Sequence, residues 1–309
     1  MKKLISWTTA YAIFSGDIKS KRASHAYMLH FLDAGNMRSA LKVFALAFFG
    51  VDESDPIGRR IINETFSDCL IFPEEGKKIN VEAASALLAD SALKPLEGDK
   101  KLFIISGFND ATPLVQNKLL KTLEEPPEGV YFLLGATTLA PVLDTVKSRV
   151  KTLTIPPFSE GEIYGALERE GSNPLNGQAA ASCGGILGVA QNMVSGGWFA
   201  EVTKAANEIC TTADIGKVGE VAIKYGDIKY KTELLSAMAM NYHRALIETV
   251  NGRKGEILAL FEKPALIYAA DSVDRACRDL KFNAFFQGLL YDLMLRIIEE
   301  NNKWLKLRG

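Results

Sequence analysis

Short apolar runs alternate with segments of helical periodicity along the first half of the chain. The apolar runs predict strands at residues 27–31, 102–105, 130–136 and 151–155. Residues 39–49 and 114–123 repeat apolar side chains at helical spacing, and Gly50 and Pro126 end these two helices. Strands that alternate with helices in this way predict a parallel sheet with crossover helices, which is an α/β domain.

Beyond residue 158 the strand signals give way to helical ones. Ser159 and Glu162 have the spacing of a capping box, so we expect a helix to begin there. Apolar side chains then follow helical spacing at Leu234, Met238, Tyr242 and Ala245. A denser apolar stripe, which suits the middle of a helical bundle or a subunit interface, comprises Phe282, Phe285, Phe286, Leu289, Leu290, Leu293 and Ile297.

These patterns predict an α/β domain joined to all-α domains. We expect the α/β domain at residues 1–158, a small helical lid at 159–198 and a helical domain at 199–309. At the start of the chain, residues 4–14 indicate a single amphipathic first helix rather than a signal peptide. No apolar run approaches the roughly 18 residues that a membrane span needs.

Composition narrows the classes of function. The 309 residues are 48% hydrophobic and 24% charged, with a net charge of −1. The composition therefore lacks the basic excess that would point to nucleic-acid binding. Only three histidines and four widely spaced cysteines are present. A structural metal site and a disulfide framework are therefore not expected, and a reducing cytoplasm fits best.

Four short motifs occur in a recognisable order. Residues 116–127 read QNKLLKTLEEPP, and shorter pieces are His-Ala-Tyr at 25–27, Ala-Thr-Thr at 136–138 and Ser-Arg-Val at 148–150. Together these motifs resemble the clamp-loader branch of the AAA+ ATPases. The resemblance covers roughly residues 24–158 and implies a RecA-like AAA+ domain, a helical lid and a C-terminal helical collar domain for oligomerisation.

The phosphate loop that such ATPases need is degenerate here. A working loop reads G-x-x-x-x-G-K-[ST], because its backbone N–H groups and its lysine bind the phosphates. The matching residues are 31–38, where Phe31 holds the first glycine position, Met37 the lysine position and Arg38 the Ser/Thr position. Gly35 and Asn36 lie between them.

Other parts of an ATP site are missing as well. Ser106 and Gly107 follow the predicted strand where the family's ATPases place Asp-Glu for Mg²⁺ and water. Asp33 adds a negative charge that would repel phosphate, and residues 185–188 contain no arginine to read a nucleotide from the lid. We therefore expect no intrinsic ATPase activity, no bound cofactor and no metal.

One catalytic part is retained. Arg149, preceded by Ser148, matches the motif that carries the family's arginine finger, which acts on ATP held by a neighbouring subunit. A chain with a retained finger and a degenerate loop resembles the delta-prime family, which serves the bacterial DNA polymerase III holoenzyme. The resemblance implies a rigid, non-hydrolysing stator that joins gamma/tau-like ATPase and delta-like subunits through residues 199–309. These subunits together load a sliding clamp onto primed DNA.

Two other interpretations stay open. The chain could be an ATP-binding AAA+ ATPase with an unusual loop, or an AAA+-derived interaction scaffold outside replication.

Delta-prime relatives often carry a four-cysteine zinc module, but residues 50–101 contain only Cys69, so the resemblance implies a zinc-free version. We expect His25 to be a structural histidine, since no second ligand has suitable spacing.

Overall fold

The computed structural model of the protein describes residues 1–250, 255–280 and 285–308. The chain divides into two compact units, Met1–Gln191 and Asn192–Gly309. The first unit contains the α/β domain together with most of the segment predicted as a lid. The division into three domains at residues 158 and 198 therefore stays a prediction.

A five-stranded, all-parallel sheet is the centre of the first unit. In the order β2-β3-β4-β1-β5 the first strand lies between β4 and β5. The strands are β1 (Ala26–Phe31), β2 (Cys69–Phe72), β3 (Lys101–Ile105), β4 (Val130–Ala136) and β5 (Lys151–Ile155). Four of them confirm the predicted strands. The sequence reasoning missed β2, a four-residue edge strand that is only partly buried.

Helices cover both faces of this sheet. They continue into residues 159–198, the segment predicted as a lid and here called the lid segment. They are α1 (Lys2–Ser6), α2 (Thr9–Lys19), α3 (Met37–Phe49), α4 (Pro56–Ile62), α5 (Val81–Ser91), α6 (Pro113–Glu124), α7 (Asp144–Lys147), α8 (Glu160–Glu170), α9 (Asn176–Ser182) and α10 (Leu187–Ser195). Gly50 adopts a left-handed conformation that ends α3 as predicted. Ser159 and Glu162 form the predicted capping box at the start of α8.

The expectation of one amphipathic helix over residues 4–14 is wrong. The chain forms α1 and α2 instead, because Thr8 adopts an extended conformation between them. Its hydroxyl oxygen accepts a hydrogen bond from the backbone N–H of Tyr11 at 3.2 Å, which caps α2.

The second unit is helical throughout its described residues. Its helices are α11 (Trp198–Cys210), α12 (Ile215–Gly226), α13 (Lys231–Val250), α14 (Glu256–Leu260), α15 (Lys263–Asp279) and α16 (Phe286–Arg308). The four residues predicted to share a helical face are all buried in one core: Leu234, Met238, Tyr242 and Ala245. The predicted combination of an α/β domain with an all-α part is therefore confirmed.

The C-terminal apolar stripe is confirmed in part. Phe286, Leu290, Leu293 and Ile297 are buried on one face of α16. Phe285 is 75% exposed, because it precedes the first turn of α16 and does not share that face. Phe282 lies outside the described residues. Among the residues that are described, no helix is both long and apolar enough to cross a bilayer.

Candidate functional site

The segment between β1 and α3 lies where the resemblance places a phosphate loop. Phe31 ends β1, and Met37 and Arg38 begin α3. Gly35 and Asn36 lie in the connecting loop, with Asn36 at the cap position of the helix. The strand–loop–helix order of a phosphate loop is thus present, although its residues are not.

Met37 faces the protein core. Its side chain is buried, and a Cβ atom added at Gly135 on β4 would lie only 2.7 Å from the Met37 sulfur. The side chain is therefore packed against the sheet at a position where β4 has no side chain. Because Met37 holds the position of the phosphate-binding lysine, this position offers no cation to a nucleotide.

Asp33 places a carboxylate inside the loop. The side chain is 1% exposed and accepts three hydrogen bonds. Asn36 donates its backbone N–H at 3.1 Å and its side-chain amide at 2.9 Å. The third donor is the backbone N–H of Gly188 near the start of α10, at 2.8 Å. The sequence indicates the charge of Asp33 but neither of these partners.

Arg38 is engaged away from the loop. Its Nε donates to Glu64 at 2.6 Å, a second guanidinium nitrogen also bonds this carboxylate, and Nη1 donates to the Pro73 carbonyl at 2.8 Å. Lys42 contacts the same carboxylate at 2.8 Å. The hydrogen bonds from Arg38 are the main cause that lowers the pKa of Glu64 to about 2. Arg38, at the position of a Mg²⁺-binding hydroxyl, therefore pairs with Glu64 instead.

The chain after β3 turns where the family's ATPases place acidic residues. The Ser106 N–H donates to the Phe72 carbonyl at 2.8 Å, and Gly107 has a φ of 72°, which favours glycine. Asn109 follows in a short 3₁₀ turn, and its side-chain oxygen accepts the backbone N–H of Thr137 at 2.9 Å. An amide thus binds the end of β4, a contact that the sequence analysis missed.

Arg149 is held by two neighbouring segments. Its Nη1 donates to the carbonyl of Thr145 at 2.8 Å and lies 3.4 Å from the Ser148 hydroxyl oxygen. Its Nη2 donates to Glu124 Oε2 at 3.0 Å. The side chain is 30% exposed, so its guanidinium is partly open to solvent. Glu124, the last residue of α6, was not identified from the sequence as a partner of Arg149.

The sheet separates Arg149 from the loop of its own chain. Arg149 lies two residues before β5, and the β5 residue Lys151 pairs with Tyr27 at the start of β1. The loop instead follows Phe31, the other end of β1. From Tyr27 to Phe31 the strand extends about 13 Å, at roughly 3.3 Å per residue. The arginine and the loop therefore lie at opposite ends of the parallel strands.

Three curated relatives are similar to about half of the chain. The DNA polymerase III subunit delta' of Bacillus subtilis (strain 168) is 29% identical over 163 residues, which are 51% of this chain and 50% of that protein. The subunit delta' of Yersinia pestis is 33% identical over 156 residues, 46% of this chain and 45% of that protein. The subunit tau/gamma of Haemophilus influenzae is 30% identical over 153 residues, 47% of this chain and 22% of that protein.

A family model agrees with these similarities. The model described as "DNA polymerase III, delta subunit" matches residues 7–159, which contain the loop and Arg149. Residues 7–159 are therefore delta-prime-like in sequence. The matched regions span about half the length of the two delta-prime relatives.

Residues 50–101, where the resemblance implied a zinc-free version of the chain, contain a single cysteine. Residues 50–101 form α4, β2 and α5, and Cys69 is buried in β2. Burial is the largest cause that raises the pKa of the Cys69 thiol to about 12. Within the described ranges, no three His, Cys, Asp or Glu side chains are grouped so that they could hold a metal ion.

Two side chains connect α6 to the segments around the delta-prime-like site. The His25 Nε2 lies 2.7 Å from the carbonyl of Leu123, so this histidine ties β1 to the end of α6 as a structural residue. Gln116 is fully buried and accepts the backbone N–H of Leu143 at 2.9 Å. Its amide group donates to two backbone carbonyls, those of residues 111 and 141. Gln116 thereby joins α6 to the loop that leads into α7 and Arg149.

Proposed function

We propose that this chain is a non-hydrolysing subunit of the DNA polymerase III clamp loader. In this role it is a rigid stator that presents Arg149 to ATP bound by an adjacent ATPase subunit. Ser148 lies beside the arginine and directly follows the short helix α7, whose Thr145 carbonyl accepts a hydrogen bond from the guanidinium.

The absence of hydrolysis is supported by the chemistry of the loop. Phosphoryl transfer needs a cation at the phosphates and an acidic residue for Mg²⁺. At the matching positions Met37 is packed against the sheet and Ser106 follows β3. The buried carboxylate of Asp33 adds negative charge where a phosphate would bind, which argues against an atypical ATPase.

The position of Arg149 is the observation that carries the proposal. The guanidinium lies at the end of the strands opposite to its own loop, which supports action on a nucleotide held by another chain. A guanidinium forms two parallel hydrogen bonds to phosphate oxygens, and such a finger is worth about 10³–10⁵ in kcat in related GTPases.

The proposed partners are those that the resemblance implies. Gamma/tau-like ATPase subunits and a delta-like subunit would join this chain through residues 199–309 in the cytoplasm. The assembly would open a sliding clamp and load it onto primed DNA. An AAA+-derived scaffold outside replication is the alternative, and it predicts no stable association with a gamma/tau-like subunit.

Two measurements test this role, one on the purified chain and one on its association with other subunits. We expect no saturable MgATP binding by calorimetry at concentrations up to about 1 mM, the weak end of ordinary nucleotide affinities. We also expect co-purification with the gamma/tau-like and delta-like subunits of the same organism. Tight MgATP binding would favour the atypical ATPase, and failure to assemble would favour the scaffold outside replication.

A further inference from the structure

The buried carboxylate of Asp33 is bound as an anionic ligand would be. It lies 1% exposed between a strand–helix loop and the amino end of α10, and it accepts hydrogen bonds from both. Backbone N–H groups of loops and helix amino ends are the groups that bind phosphate in nucleotide sites. Here a side chain of the same loop is their acceptor.

We propose that the Asp33 carboxylate replaces a nucleotide phosphate as the anion on which the lid segment closes. The Asp33 carboxylate then occupies the cleft, so that the cleft binds no external anion. The inference goes beyond the proposed function, because it concerns the isolated chain and does not depend on Arg149 or on partner subunits.

Gly188, on the lid side of the contact, leaves room for this carboxylate because it has no side chain. A Cβ atom at Gly188 would lie 2.4 Å from Asp33 Oδ1, so any larger residue would displace the carboxylate or the helix. The hydrogen bond from the Gly188 N–H to Asp33 Oδ2 is 2.8 Å long and joins residues 155 positions apart. The absence of a side chain at Gly188 therefore permits the direct contact between α10 and the loop.

Further hydrogen bonds continue from the carboxylate into the lid segment. The Asn36 side-chain amide donates both to Asp33 Oδ2 and to Gln191 Oε1, each at 2.9 Å. Gln191 in turn donates to the Glu170 carboxylate, at 2.7 and 2.9 Å. One connected network thus joins the loop after β1 to α10 and α8. Because Asp33 accepts three of its bonds, loss of the carboxylate should loosen the whole network.

The consequence is an anion site that exists only when Asp33 is removed. In Asp33→Ala, the N–H groups of Asn36 and Gly188 lose their acceptor and face a space of about the size of a carboxylate. A buried donor without a partner is unfavourable, so a small external anion is stabilised there. Formate supplies the group that the substitution deletes, and formamide is its neutral counterpart.

The test is amide hydrogen exchange of peptides that cover residues 187–191, in the isolated chain. Asp33→Ala should raise exchange at Gly188 by about tenfold or more, as expected for loss of a hydrogen bond to a charged group. Sodium formate should restore protection towards the wild-type rate, whereas formamide and sodium chloride at equal concentration should not. Unchanged exchange in Asp33→Ala, or equal restoration by formamide or sodium chloride, would overturn the proposal.

A second variant keeps the test decisive if Asp33→Ala does not fold. Asp33→Asn retains the shape of the side chain and removes its charge. If the lid closes on an anion, exchange at Gly188 must rise in Asp33→Asn as well, while circular dichroism stays that of the wild type. Wild-type exchange in a folded Asp33→Asn protein would show that charge has no role, and would contradict the proposal.

Discussion

The guanidinium of Arg149 donates from Nη2 to Glu124 Oε2 across 3.0 Å, which joins the second residue after α7 to the last residue of α6. Both side chains are partly solvated, Glu124 at 56% and Arg149 at 30% exposure. An ion pair of this exposure contributes at most about 1 kcal/mol to stability. Its main effect is therefore on the orientation of the guanidinium rather than on folding.

We predict that Glu124→Ala lowers the free energy of unfolding by less than about 1 kcal/mol. A double-mutant cycle with Arg149→Ala, measured by urea unfolding, should give a coupling energy of about 0.2–1 kcal/mol. Glu125→Ala is the matched control, because Glu125 is the next residue and is exposed. Equal coupling of Arg149 to Glu125 would contradict the contact.

Gln116 should be more important for stability than its neighbours on α6. Gln116→Leu keeps the side chain at a similar size but removes the acceptor of the Leu143 N–H and the donor to two carbonyls. We expect a loss of about 2–4 kcal/mol in the free energy of unfolding, because buried polar groups are left without partners.

Asn117→Leu serves as the control for this substitution. Asn117 is exposed on the same helix, so the change should stay within about 0.5 kcal/mol of the wild type. A Gln116→Leu protein as stable as Asn117→Leu would show that the buried amide does not hold the loop before α7.

Helix α6 also marks how far the sequence could predict the fold. The helical spacing of apolar residues over 114–123 predicts a buried face, and Val115, Leu119 and Leu123 are all buried. Gln116 is buried beside them, although a polar residue at this spacing gives no hydrophobic signal. Two of its three partners lie in a loop about 25 residues later, and periodicity does not predict such distant contacts.

The candidate site shows the same division. The differences between residues 31–38 and a phosphate-loop pattern can be identified from residue types alone, since the lysine of that pattern is replaced by Met37. The contacts between Asp33 and Gly188 and between Arg149 and Glu124 join residues 155 and 25 positions apart. Such contacts depend on how helices pack against the sheet, so no local pattern predicts them.

Gly188→Ala should disturb the lid segment. An added Cβ atom would lie 2.4 Å from the Asp33 carboxylate, and relief of such overlap costs about 1–3 kcal/mol. We expect faster amide exchange across α10 in this variant. Gly177→Ala in α9 is the control, because nothing lies within 4 Å of its added Cβ.

Alanine is a better helix former than glycine, so Gly177→Ala should stabilise α9 by up to about 1 kcal/mol. The two glycine variants should therefore change exchange in opposite directions. Equal protection of α10 in Gly188→Ala and the wild type would mean that the close approach to Asp33 is not required.

The ion pair of Arg38 with Glu64 predicts a pH dependence of stability. The pKa of Glu64 is about 2 in the folded chain, below its ordinary value of 4.5, chiefly because Arg38 donates hydrogen bonds to the carboxylate. A lowered pKa stabilises the fold above the unfolded value, and this stabilisation is lost as pH falls from about 4.5 through about 2.

We expect the wild type to exceed Glu64→Gln in free energy of unfolding by about 1–3 kcal/mol at pH 6, with the Glu64 side chain only 28% exposed. The difference should shrink as the pH of urea unfolding is lowered from 5 towards 2. A difference that does not vary with pH over this range would contradict the assigned ion pair.

The central claim is that Arg149 acts on ATP held by another subunit. Its most direct test is DNA- and clamp-stimulated ATP hydrolysis by a clamp loader reconstituted with this chain, comparing wild type, Arg149→Ala and Lys147→Ala. Lys147 is a cation two residues away that pairs with Asp144, so its loss controls for charge. We predict that Arg149→Ala lowers kcat tenfold or more, about 1.4 kcal/mol in barrier, while Lys147→Ala has little effect. An unchanged rate for Arg149→Ala in a fully assembled complex would contradict the claim.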